Sequence, residues 1–128
     1  MSSHNALLKH VSIAAKESTL VAKFDIDGNI PGSGPYVVGL VAATPDHSHQ
    51  RRMGIEFING EAVSFYCFSH DGTEENFDLS GVEHSGNTIT GHFPLSTVLG
   101  LEKGHLMTAF SEAEGREYQA NVPVEEAL

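Results

Sequence analysis

The sequence predicts an all-β protein, an antiparallel two-sheet β-sandwich of about nine strands in one domain over residues 1–128. Three observations carry that expectation. Apolar and polar residues alternate at period two through most of the chain. Turn-forming Gly, Pro, Asn and Asp punctuate the alternation every roughly 10 to 15 residues. One run, residues 36–43, is almost continuously apolar, as a central strand covered on both faces must be. A lipocalin-like closed barrel is the competing solution. Leu40 with Phe24, Phe57, Phe65, Phe77, Phe93 and Phe110 can fill a sandwich core without leaving a cavity, which favours an open, immunoglobulin-like layering.

Taken in order, residues 1–8 read as a short helix or a flexible tail. Residues 10–15 and 19–27 form a first hairpin through Lys16, Glu17 and Ser18, with Leu20, Ala22, Phe24 and Ile26 on its apolar side. Residues 27–35 hold three glycines and two prolines, so they form a long turn and no regular element. The doubly apolar strand 36–43 follows, and then a polar loop over 44–50.

The next hairpin, residues 52–68, contains two apolar rows: Met53, Ile55 and Phe57, then Val63, Phe65 and Cys67. A two-residue Asn59-Gly60 loop would pair Ile58 with Glu61, set Ile55 opposite Ser64 and send the rows to opposite faces of the sheet. A three-residue loop of Ile58, Asn59 and Gly60 pairs Phe57 with Glu61, Ile55 with Val63 and Met53 with Phe65, and brings both rows to one buried face. The three-residue loop is therefore expected. Residues 69–73 make a turn, and 76–82 with 87–93 make a third hairpin. There a three-residue loop sets Phe77 opposite Phe93, and a two-residue loop sets Val82 opposite Ile89. Pro94 and Gly100 bracket the one internal helical turn, over 94–101. Residues 105–111 and 116–122 close the chain as a final hairpin over 112–115.

Seventeen acidic residues against seven basic ones give a formal charge of −10. Such a chain repels phosphate backbones and anionic lipid, so neither nucleic acid nor membrane is expected as a partner, and an acidic, soluble surface is. Cys67 is the single cysteine, which excludes an internal disulfide; next to Phe65 in an apolar row it reads as a buried, inert thiol. The chain opens without a basic segment followed by an apolar one, so the expected compartment is the cytoplasm, or the cell exterior if a signal has been removed.

Candidate chemistry sits in the turns. Asp25, Asp27 and Asn29 offer oxygen ligands at alternate positions before and after Gly28, which suits calcium, although the glycine and glutamate spacing of an EF-hand is absent. His47 and His49, in the run Asp46-His47-Ser48-His49, face the same way on an extended chain and suit zinc. His70-Asp71 is the pair from which a general base would be built. No Gly-x-Ser-x-Gly frame and no phosphate-binding Gly-x-x-x-x-Gly-Lys occurs. Tyr36, Tyr66 and Tyr118 are the only amphipathic rings, since Trp is absent, and they are the candidate ligand-binding residues; Tyr36 borders the Gly/Pro-rich turn where a ligand would approach.

Residues 19–26 (Thr-Leu-Val-Ala-Lys-Phe-Asp-Ile), 36–40 (Tyr-Val-Val-Gly-Leu) and 86–96 (Gly-Asn-Thr-Ile-Thr-Gly-His-Phe-Pro-Leu-Ser) follow an order that resembles the extracellular β-sandwich group of DOMON domains and family 9 carbohydrate-binding modules. The resemblance spans nearly the whole chain. It implies the sandwich fold and a sugar or haem ligand, haem being held by Met and His where it is bound. Met53 and Met107 are present, yet Met53 already serves the core row and no Met/His pair stands out, so haem is not expected. The missing Trp departs from the sugar-binding pattern.

Together these readings describe a non-enzymatic binding or interaction domain that engages a small molecule, carbohydrate-like or otherwise, or a protein through loops 27–36, 46–49 and 69–73. Two alternatives differ in class: a small metal-dependent hydrolase built on His47, His49, His70 and Asp71, and an assembly module that pairs through an edge strand.

Overall fold

The structure, a computed structural model, describes residues 7–43, 50–69, 72–94 and 106–127. Eleven strands run through them: β1 (Leu7–Lys16), β2 (Thr19–Asp27), β3 (Pro35–Ala43), β4 (Gln50–Ile58), β5 (Glu61–Ser69), β6 (Glu74–Asn76), β7 (Val82–Ser85), β8 (Thr88–Pro94), β9 (Leu106–Ala113), β10 (Arg116–Pro123) and β11 (Glu125–Ala127). They form two sheets, ordered β11-β1-β2-β8-β7 and β10-β9-β3-β4-β5-β6. The pairing is antiparallel apart from β11, which lies parallel to β1. The two-layer all-β body expected from the alternation is present.

Period two does the work of building the core. Leu20, Ala22, Phe24 and Ile26 of β2, with Val11, Ile13, Ile89 and Phe93 from its neighbours, face Tyr36, Val38, Leu40, Met53, Ile55 and Phe57 of the other sheet, all of them at most 1% exposed. Phe65 packs with its ring centroid 4.8 Å from that of Phe93 and 5.2 Å from that of Phe77, at the tilted and edge-on angles that aromatic quadrupoles favour. β3, third of six in its sheet, has buried residues on both faces, as its continuous apolarity requires.

The β4–β5 hairpin corrects the expected register. Asn59 and Gly60 form a two-residue loop, with Ile58 opposite Glu61, and both have positive φ (53° and 86°), the backbone of a type I′ turn. The rows still share one face because the ladder slips between Glu56 and Phe57. Phe57 pairs with Ala62, Glu56 with Ser64, Ile55 with Phe65 and Met53 with Cys67. Val63 is the extra residue of this β-bulge and is turned outward, 46% exposed. The residue expected to be absorbed in the turn is absorbed in the strand.

Other boundaries shift for local reasons. Leu7 and Leu8 already belong to β1, so the expected tail is shorter, and residues 1–6 lie outside the described residues. The strand expected over 76–82 is broken. Asp78, whose carboxylate accepts from the Ser80 amide at 2.9 Å, caps a single 3-10 turn at Leu79–Gly81, and β7 begins after it. The β7–β8 loop has two residues, yet the hairpin sets Val82 opposite Gly91 and His84 opposite Ile89, matching neither expected register. The last hairpin turns on Glu114 and Gly115 alone, again with positive φ at both. Of the helical turn expected over 94–101, Pro94 ends β8 and the rest lies outside the described residues.

The chain passes from one sheet to the other between β10 and β11, and a side chain seals that corner. The Gln119 carboxamide accepts from the Leu8 amide at 2.6 Å and from the Ser111 hydroxyl at 3.0 Å, and donates to the Leu8 carbonyl at 3.3 Å. Gln119 thus stands in for a strand partner where β1 itself bulges between Leu8 and His10.

Candidate functional site

Loop 28–34 leaves β2 at Gly28 and enters β3 at Gly34, both at positive φ (92° and 78°), a region other residues adopt at a cost. Two further elements hold it. The Gly34 amide donates to the Asn59 side-chain oxygen at 2.9 Å and the Asn59 amide donates to the Gly34 carbonyl at 3.2 Å, so the β4–β5 turn pins one end. The Glu114 amide donates to the Pro35 carbonyl at 3.0 Å, which draws the β9–β10 turn alongside. Between loop and hairpin lies a cleft of about 610 Å³. Ile30, Pro31, Pro35 and Ala113 supply apolar wall, Asn29, Ser33, Glu114, Arg116 and Glu117 supply polar groups, and Tyr118 contributes to the lining from β10.

The three candidate tyrosines part company. Tyr36 is fully buried, its ring centroid 6.5 Å from that of Phe57. Burial, with a smaller contribution from Tyr118, pushes its hydroxyl above the usual phenol range, so it remains protonated at all ordinary pH. Tyr36 therefore belongs to the core and offers no exposed face for stacking. Tyr118 both lines the cleft and carries a buried hydroxyl with no hydrogen-bond partner among the described residues. Tyr66 is elsewhere, on the outer face of the six-stranded sheet. Its hydroxyl is raised by burial first and by Glu112 next, with Arg52 opposing.

That outer face holds an arrangement the sequence reading missed. Phe110, Gly39, Gly54 and Tyr66 stand in one cross-strand row. A Cβ at Gly39 would strike the Met53 carbonyl and lie 2.5 Å from the Phe110 ring, and one at Gly54 would lie 2.5 Å from the Tyr66 hydroxyl. The glycines are there so that the rings can lie against the backbone. Arg52 sits 3.7 Å above the Phe110 ring centroid and pairs with Glu112 at 2.7 Å. Two glycines at matching positions of paired apolar strands were the available signal.

The candidate metal ligands are divided as well. Asp25 is engaged by the Thr88 hydroxyl at 2.8 Å on the outer side of β2, Asp27 is exposed on the same strand face, and Asn29 lies past the Gly28 turn on the cleft. His47 and His49, with Asp46, His70 and Asp71, lie outside the described residues. Among the described residues no three His, Cys, Asp or Glu side chains are grouped to hold a metal ion. Cys67 is 3% exposed and burial pushes its thiol pKa up, which suppresses the nucleophilic thiolate. Met53 and Met107 both face the core.

No family model, curated protein or solved structure matches this chain.

Proposed function

We propose that the protein is a non-enzymatic binding domain whose immunoglobulin-like layers hold the cleft beside loop 28–34 ready for a small-molecule ligand. The supporting observation is the cleft itself. Its volume of about 610 Å³ falls within the roughly 300–1,000 Å³ common to small-molecule sites. An apolar floor of Ile30, Pro31 and Pro35 beside Asn29, Ser33 and Glu117 suits a compact ligand with one apolar face and a hydrogen-bonding edge, the chemistry of a carbohydrate. Hydrogen bonds to two neighbouring turns restrain the loop where it enters β3, which lowers the ordering cost of binding.

A thermal-shift series with mono- and disaccharides, haem, calcium and zinc tests the proposal. A saccharide is expected to raise the unfolding midpoint in step with its concentration, because it binds the folded state alone. Ser33 is exposed on the cleft, so Ser33→Trp is expected to fill the opening and abolish that shift while leaving the ligand-free midpoint in place. If no saccharide shifts the midpoint, or Ser33→Trp keeps the full effect, the proposal fails.

A further inference from the structure

Each sheet has two edges, and three of the four are blunted in the ways that prevent strand addition. β6 has three residues and β7 four, while β10 slips register twice along β9 and holds Asn121 at a left-handed φ of 57°. The fourth edge is β11, which lies on β1, a strand of ten residues. β11 is three residues long, pairing Ser12 with Glu125, Ile13 with Glu126 and Ala14 with Ala127. Over the first half of β1 the cover is the Gln119 carboxamide at Leu8.

β11 is held lightly. Glu125 and Glu126 are exposed, and the His10–Glu125 contact at 2.7 Å joins side chains 45% and 72% exposed, where water weakens an ion pair to little or nothing. Val124, packed against the core, gives the docking its fit. The connection back to β10 is the single residue Val124, set just past the left-handed Asn121 of β10, and a hinge so short is the kind that favours strand exchange.

We propose that residues 124–127 form an exchangeable strand: the same segment of a second copy pairs with β1 in its place, and the two chains form a strand-swapped dimer. Every contact of β11 in the closed chain can be remade between copies, so exchange loses no pairing, leaving concentration to decide the balance. The partner is a second copy because the segment that fits β1 in register is the chain's own.

Paired cysteines report which copy supplies the strand. In an Ala14→Cys/Ala127→Cys chain equilibrated over a range of concentrations and then oxidised, a closed molecule forms its disulfide within one chain and a swapped one becomes a covalent dimer on a non-reducing gel. Buried Cys67 stays out of the reaction. The dimer-to-monomer ratio is expected to rise about tenfold for each tenfold increase in concentration while monomer predominates, as mass action requires, and to exceed that of an Ala127→Cys control severalfold. Three results overturn the proposal: disulfides confined to monomers at every concentration, no more dimer than the single-cysteine control yields, or thiols left unoxidised, which would remove the β1–β11 pairing altogether.

Discussion

Tyr118 lines the cleft with its hydroxyl buried and, among the described residues, unpaired. An unmade hydrogen bond of this kind costs roughly 1–3 kcal/mol, so Tyr118→Phe is expected to leave stability unchanged or raise it in urea unfolding. A loss greater than about 1 kcal/mol would show that the hydroxyl has a partner. At this scale the sequence was readable only in part. That Tyr36 borders the Gly/Pro-rich turn was plain, but its full burial depends on Phe57 across the β3–β4 ladder. Gly39 was visible in an apolar strand, yet the reason for a glycine there, the Phe110 ring, comes from β9 and has no local signature.

The β4–β5 hairpin shows what alternation can decide about an element and what it leaves open. Two apolar rows that must share a face require one residue to be taken out of step, and that much follows from the period. Whether the turn or the ladder takes it depends on backbone twist. A type I′ Asn-Gly turn matches the twist of its strands, so the two-residue loop wins and the odd residue becomes the bulge at Val63. Val63→Thr is accordingly expected to change stability by no more than about 0.5 kcal/mol, as exposed substitutions do. Phe65→Ala is expected to cost about 3–5 kcal/mol. Chemical denaturation of the two variants distinguishes the registers, and a severe loss at Val63 would restore the three-residue loop. The break after β6 has a simpler origin. Asp78 followed by Leu79, Ser80 and Gly81 is itself a capped turn signature, and alternation on either side concealed it.

Across the whole molecule, the two-layer body was legible because its core faces keep period two over many strands. β11 was not, since Glu125–Ala127 has no alternation of its own and is a strand only by lying against β1. One wall of the cleft was legible in the same way. The glycines and prolines of residues 27–35 marked a turn where a ligand would approach, whereas the facing wall arrives through the tie between Glu114 and Pro35, a contact distant in sequence. The claim that this cleft is where the protein meets its ligand is tested most directly by amide chemical-shift mapping during titration with the saccharide that gives the largest thermal shift. Shifts concentrated at residues 29–33 and 114–118 are the expected result. Shifts centred on the outer face around Tyr66 and Phe110, or none at saturating saccharide, would contradict it.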